Sequence, residues 1–581
     1  MSQFFSISPS FQKGQRPFWL LVVFLAGLFL SLTPVHTAHA VAMTVTTAVD
    51  VVANNGACSL REALINANNN NQSGSTDCPA GTGNDSINFA PSLNGVPITL
   101  SITGTNEDAA ADGDLDISID NLRILGNGVN NTLIDATGLN ERVFHILAGA
   151  NRVQIVRLTI QGGVSPGSDF TDPDTWGGGI LSAGTLLTLD RVRITGNTAG
   201  TRGGGIYISG GSATMGNSTV DANTSGTSGG GVFVDGEFSV ATLTFNNSTL
   251  SGNNAGGFGG GLAVYQNGSS ATTTLNYVTV ANNQADSDNS GGETGGGISN
   301  IPGVSGVLNI QSTLIADNSL GSGSVSGSHC SGPITTQLYN LIEDITGCSI
   351  TLSTGDMTGD PSLVALADNG GQTPTHALGF SSIVIDQIPN GTNTCGTAPN
   401  FNKDQRGVVR PVDSDGIGAT ACESGAYEAP RRICSIGAAN TYVFDNVSYN
   451  VQTLGDINCL QAEEIPFDHP NATAPLQNGV HWQLGAFLFS GQPASGYSID
   501  LTISVPFTAD VNDKLCRYTG VGIIWDCVMD SFLGTTITRN NVTQLSPWPQ
   551  ETTLAPPPSP CNPSPPAAQR SHHWLSLASF F

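Results

Sequence analysis

The chain has 581 residues, with 45 acidic against 19 basic side chains, a net charge of −26 and only 11% charged residues, where ordinary soluble domains carry roughly 25%. Glycine (72) and proline (30) punctuate the backbone heavily, yet hydrophobic residues still reach 39%, which supplies a core and argues against wholesale disorder. The acidic balance excludes a nucleic-acid binder, because phosphate neutralisation needs clustered Lys and Arg, and lysine occurs only at Lys13, Lys403 and Lys514.

Residues 1–40 predict an export signal. Lys13 and Arg16 give the positive flank, Phe18 to Leu32 the apolar stretch, and Ala38-His39-Ala40 a small-x-small cleavage site, leaving Val41 as the first mature residue. The 15-residue apolar stretch is short of the ~20 that a membrane span needs. No later segment is long and apolar enough to span a bilayer, so no transmembrane segment is expected after cleavage. Cysteine usage agrees with export. Ten of the 11 cysteines fall into near neighbours: Cys58 and Cys78, Cys330 and Cys348, Cys395 and Cys422, Cys434 and Cys459, Cys516 and Cys527. The absence of C-x-x-C spacing disfavours a zinc ribbon or thioredoxin-like site. Local disulfides outside the cell are the expectation, with connectivity open.

Residues 41–84 predict an N-terminal cap. Ser59 and Glu62 have the S-x-x-E spacing of a helix capping box, and Leu60, Ala63, Leu64 and Ala67 make one apolar helical stripe. The segment Cys58-Ser59-Leu60-Arg61-Glu62-Ala63, followed by the run Asp112-Gly113-Asp114-Leu115-Asp116-Ile117, resembles the CSLREA domain found at the start of exported bacterial repeat proteins. Asp108, Asp112, Asp114, Asp116 and Asp120 form an acidic run whose oxygens could take Ca2+, although the spacing is not that of an EF-hand and solvated carboxylates are the blander reading.

Residues 85–365 predict a repeat. A Gly triplet followed by an aliphatic residue recurs at Gly177, Gly203, Gly229, Gly259 and Gly295, in steps of 26, 26, 30 and 36 residues. A second element, an aliphatic residue followed three residues later by Asn, places Asn197, Asn223, Asn253, Asn283 and Asn318 in phase. Eight positions before each Asn stand Leu189, Met215, Phe245, Leu275 and Ile310, and three before it Ile194, Val220, Leu250, Val280 and Ile315. Five unrelated Gly-rich loops would not keep two such columns. Units of 26–30 residues without a helical period, each too small to bury its own apolar face, predict an all-β right-handed parallel β-helix. The Asn column reads as a structural ladder: Asn tolerates a left-handed corner, and stacked amides hydrogen-bond along the stack. Ile155, Ile160 and Gly163, then Leu122 to Gly126 and Thr132 to Asp135, extend the array upstream. The repeats are also loosely similar to those of chlamydial polymorphic outer-membrane proteins, β-helical autotransported adhesins; that resemblance implies fold and location.

Two columns read as outward faces: Leu181, Tyr207, Phe233, Ala263 and Ser299 after the Gly triplets, and Asp190, Gly216, Asn246, Asn276 and Gln311 before the Asn. Neither offers the paired carboxylates of a glycoside hydrolase nor the base and cation of a polysaccharide lyase. Tyr207 and Phe233 are candidate sugar-stacking rings, or a pair that stabilises the sheet. Arg191, Arg193 and Arg202 lie close in the first coils and could take an anion, though ion pairing with Asp190 is the plainer expectation. His145 and His376 have no visible partners.

Residues 366–430 carry Asp368-Asn369-Gly370-Gly371-Gln372-Thr373-Pro374-Thr375-His376, then Asp404-Gln405-Arg406-Gly407, Arg410-Pro411 and Gly425-Ala426-Tyr427-Glu428. They resemble the choice-of-anchor Q domain, which implies a position ahead of a surface-attachment device; no such device is recognisable here. Residues 431–550 predict a β-sandwich-like domain, with strands at Tyr442 to Phe444, at Val521 to Trp525 and, in strict alternation, at Tyr497 to Ile503. Residues 551–581 form a Pro-rich tail with Cys561, His572 and His573. The expected function is a secreted or cell-surface adhesin-like binding or structural stalk with no catalytic residues and no cofactor beyond the candidate Ca2+, its partner an extracellular polysaccharide or cell-surface ligand. The alternative is a secreted polysaccharide lyase or glycoside hydrolase on the same scaffold.

Overall fold

The computed structural model describes residues 41–581 apart from 106, 185, 302, 322–326, 399–400, 417, 467–480, 506–507, 510–512, 519–524, 546–573 and 578–581. The expected leader, residues 521–524, Cys561, His572 and His573 therefore lie outside the described residues.

The chain is all-β around one large parallel sheet of 25 strands. Val41–Val45 pairs in parallel with Asp85–Phe89, and the same edge is continued by Leu122–Leu125, Val153–Val156, Leu186–Asp190, Gly211–Gly216, Ala241–Ser251, Ala271–Ala281 and Val307–Gln311. A second face stacks Leu115–Ile117, Phe144–Ile146, Ile180–Ser182, Ile206–Ile208, Val232–Asp235, Leu262–Tyr265 and Ile298–Asn300. Two-residue strands, from Val164–Ser165 to Ser319–Leu320, form a separate six-stranded sheet. Successive passes of the chain therefore lie on one another as rungs.

The registers explain the apolar columns. Leu189, Met215, Phe245, Leu275 and Ile310 are mutual partners, as are Ile194, Val220, Leu250, Val280 and Ile315. All ten are 0–2% exposed, in one apolar core that runs from Met43 to Ile342. The ladder asparagines are buried too. From Asn223 onward each Oδ1 accepts from the backbone N–H and the side-chain amide of the previous rung's Asn, so Asn223 bonds Asn253 at 3.1 and 2.9 Å and Asn253 bonds Asn283 at 3.0 and 2.9 Å. The left-handed corner, however, falls one residue earlier than the sequence suggested, on Gly196, Ala222, Gly252, Asn282 and Asp317. The Asn itself is selected for its two-sided amide. Of each Gly triplet the first residue takes positive φ; the second is needed for close approach, since a Cβ on Gly230 would stand 2.3 Å from the Asn254 carbonyl oxygen.

The capping box forms as expected. Ser59 Oγ accepts from Glu62 N–H (3.1 Å), and Glu62 Oε2 accepts from Ser59 N–H (2.8 Å), at the start of helix Leu60–Asn69. Its apolar stripe closes the N-terminal end of the core. The cap also contributes the first strand of the stack, Val41–Val45.

Residues 366–430, expected to link two domains in sequence, instead lie back along the outside of the rungs. Thr219 Oγ1 donates to Pro374 O (2.7 Å), Thr249 Oγ1 to Gln405 Oε1 (2.7 Å), and Ala426 N–H donates to Thr279 Oγ1 (3.0 Å). Arg406 and Arg410, both 0% exposed at the side chain, bind Asp404 and Glu463, and Glu428, respectively. Arg406 thereby ties this segment to the C-terminal part of the chain, where two sheets share one apolar core. Ser498–Ser504 alternates there as expected. Trp574–Leu577, read as tail, pairs in parallel with Lys514–Tyr518. All five neighbouring cysteine pairs are disulfides, which suits an oxidising compartment. No helix among the described residues is long and apolar enough to cross a membrane.

Candidate functional site

A dense group of titratable side chains lies at the first rungs, beside the capping helix. Arg61, fully buried, binds Asp50 (Nε–Oδ1 2.7 Å) and donates to the carbonyls of Ala110, Gly113 and Asp114. It thereby fixes the loop that carries the acidic run. The run does not act as one cluster. Asp114 pairs with Arg142 at 2.9 Å, and Asp120 accepts from Asn151 at an exposed turn. The backbone N–H of Asp112 meets Glu107. Asp116 alone enters the sheet column, opposite His145 in the next rung.

That column continues through Leu181, Tyr207, Phe233, Ala263 and Ser299. The column that offers no carboxylate, Arg, Lys or His from Leu181 onward thus begins two rungs earlier with a carboxylate and an imidazole. His145, expected to be partnerless, has Nδ1 3.2 Å from Asp116 Oδ1 and 3.6 Å from Asp108 Oδ1. A small recess of about 40 Å3 opens beside them. Glu107, Asp108, Asp112, Asp114, Glu141 and Asp174 bring six carboxyl groups to it, against the single guanidinium of Arg142. Burial drives the Asp114 carboxyl up to about 8, against the pull of Arg142 and with the repulsion of Asp116 and Glu141 added. Burial likewise raises Asp116, held back by His145, and Glu141, held back by Arg142. The recess has room for an ion or a water or two and not for a sugar ring.

Further along, the column is closed to solvent. Tyr207, Phe233, Ala263 and Ser299 are 0% exposed, which corrects the reading of this column as outward; for Tyr207 and Phe233 the burial fits the pair that stabilises the sheet and not rings that stack on sugars. Trp176 stacks on Tyr207 at 4.7 Å, Tyr207 on Phe233 at 5.4 Å, and Ile301 and Phe258 pack beside them. Tyr207 donates its hydroxyl to Asp235, and burial lifts both groups above their ordinary pKa values. Arg202 lies 5.1 Å over the rings of Phe233 and Tyr265 and pairs with Asp235. The three arginines of the first coils do not converge on an anion: Arg191 meets Asp190, Arg193 meets Asp221, and Arg202 meets Asp235 and Glu237.

The second outward column lies in register from Asp190 through Gly216, Asn246 and Asn276 to Gln311. It is half-buried by the returning segment, where Gln311 donates to the Asn393 carbonyl. His376, also expected without partners, is 1% exposed between Ser251 Oγ (2.9 Å) and Val364 O (2.7 Å). Asp386, Asp413 and Asp415 form a second group of carboxylates close enough to share a cation. Asp386 is pushed up to about 6 by burial, while the N–H groups of Asp415 and Ser414 pull it back. Sequence reasoning passed over Arg61, Arg406 and Arg410. An arginine inside a motif of small and apolar residues was the signal available for Arg61. Comparison with protein-family models, with curated proteins and with solved structures finds no match to this chain.

Proposed function

We propose that this is an exported bacterial protein, secreted or held at the cell surface, whose rungs wind as a right-handed parallel β-helix and serve as an adhesin-like stalk. The observation that carries the reading is the unbroken buried Asn ladder from Asn197 to Asn318, flanked by outer faces that the chain's own segments occupy. Such a stack has little freedom to bend, and nine stacked strands at ~4.8 Å give a rod of about 40 Å. The handedness follows the rule for parallel crossovers. The CSLREA and choice-of-anchor Q resemblances, together with the five disulfides, support export. The ligand class we favour is an extracellular polysaccharide or another cell-surface molecule.

Purified protein mixed with a panel of neutral and acidic polysaccharides tests this, with calcium present and absent, by scoring both retention on the insoluble polymer and newly formed chain ends. Retention without new ends is expected. Release of ends from any substrate would replace the stalk with a hydrolase or lyase on the same scaffold.

A further inference from the structure

We propose that Asp108, Asp116 and His145 form a binding site for a divalent transition-metal cation of the Zn2+ class, independent of the stalk reading. Three observations meet here. The first is geometric: a carboxylate oxygen of Asp108, a carboxylate oxygen of Asp116 and a ring nitrogen of His145 all lie within 4.8 Å of one another. A tetrahedral cation that holds nitrogen and oxygen ligands at the usual ~2.0–2.2 Å sets edges of about 3.3–3.6 Å between them. The His145–Asp108 separation of 3.6 Å falls in that range and the His145–Asp116 separation of 3.2 Å just short of it.

The second observation is Asp116 itself. Its side chain is 0% exposed, one oxygen accepts from Ala110 N–H at 3.0 Å, and Oδ1 makes no hydrogen bond of good geometry, facing only the His145 ring nitrogen at 3.2 Å. A buried carboxylate oxygen left without hydrogen bonds is costly, and this one is aimed at the imidazole and at Asp108. A cation between them supplies the missing partner.

The third is the surrounding charge and access. The recess sets Glu107, Asp108, Asp112 and Asp174 against the single guanidinium of Arg142, a field that concentrates cations. Asp108 is 72% exposed and His145 20%, so an ion enters from solvent without opening the core. The donor set chooses the class of metal. An imidazole nitrogen beside carboxylates suits Zn2+ and its transition-metal neighbours, whereas Ca2+ prefers six to eight oxygens. The one remaining position of a four-coordinate ion falls to water.

Titration of the purified protein with Zn2+, and separately with Ca2+, by calorimetry tests the site, with Co2+ absorption as a second readout of nitrogen ligation. One saturable Zn2+ equivalent is expected, weakened at least 10-fold in His145→Ala and clearly weakened in Asp108→Asn. Asp108 is exposed, so that variant keeps the fold, and circular dichroism checks both. Absence of saturable Zn2+ binding would overturn the site, as would binding unchanged in both variants. Ca2+ binding tighter than Zn2+ would overturn the class of metal.

Discussion

Truncating the central ladder residue, Asn253→Ala, examines what the amide column contributes. In the native stack the Asn253 Oδ1 accepts from Asn223 N–H and from the Asn223 side-chain amide, at 3.1 and 2.9 Å. The variant leaves both donors buried and unsatisfied. Asn253 also gives its own amide to Val220 O and Asn283 Oδ1, but those acceptors retain other capacity. Two orphaned donors at about 1–3 kcal/mol each predict a loss of about 3–5 kcal/mol. Asn197→Ala supplies the internal comparison. Its Oδ1 serves one donor, Gly163 N–H at 2.9 Å, so about half the loss is expected. Asn246→Ala, on the half-buried outer column and accepting one amide from Asn276, is the control and should change stability by under about 1 kcal/mol. Urea unfolding, with amide exchange at the 223 and 253 rungs to catch local opening, measures all three. An Asn253→Ala protein within 1 kcal/mol of the parent, or no less stable than Asn197→Ala, would refute the ladder argument.

Arg61→Ala should destabilise the N-terminal end by about 3–5 kcal/mol, because it strands Asp50 and three carbonyls in the interior; an unchanged urea midpoint counts against this. Gly230→Ala puts a methyl group 2.3 Å from Asn254 O and 2.5 Å from Gly260 O, both immobile backbone. A loss of about 1–3 kcal/mol or more is expected, and a melting temperature within 2 °C of the parent would be inconsistent with it. Burial pushes Glu463 from 4.5 up to about 7 even with Arg406 beside it. Between those values the folded chain holds a proton that the unfolded chain lacks, so the stability present below pH 4.5 declines as pH rises towards 7, by up to about 1.4 kcal/mol per unit. Glu463→Gln should remove that slope; parallel pH profiles for variant and parent would contradict it. Replacing Cys330 and Cys348 by serine opens a loop of 18 residues and should cost about 3 kcal/mol, read as a lower urea midpoint that reductant no longer changes.

Repetition made the rungs legible. Gly triplets and Asn recur with fixed offsets to Leu189, Ile194 and their equivalents, and a side chain that repeats in phase stacks in space. The capping helix was equally plain, since Ser59 and Glu62 satisfy each other locally. What covers a face was not legible, because the covering groups are remote in sequence. Thr219 meets Pro374, Thr249 meets Gln405, and Trp176 closes over Tyr207 from a loop that repeats nowhere else. The first rungs escaped for a different reason. Leu115–Ile117 and Phe144–Ile146 have no Gly triplet ahead of them, so the column reading stopped at Leu181, short of Asp116 and His145. Arg406 and Arg410 were quoted only as letters of a motif. Their ion pairs with Glu463 and Glu428 depend on the returning path of the chain, which no local pattern encodes.

The threonines beneath residues 366–430 imply an order of assembly. Thr219, Thr249 and Thr279 stand one per rung on the outer side of the sheet and are 0–2% exposed, each engaged by a residue made about 150 positions later. Laid down from the N-terminus, all three rungs can close long before Pro374, Gln405 and Ala426 reach them. Until then a band of hydroxyls and unclad β-surface faces water along the growing rod, and the chain's own later third arrives as a splint laid along it. Contacts this distant form slowly. A chain cut short near residue 365 would keep its rungs but carry a permanently bare flank, the kind of surface on which a second unfinished copy could settle.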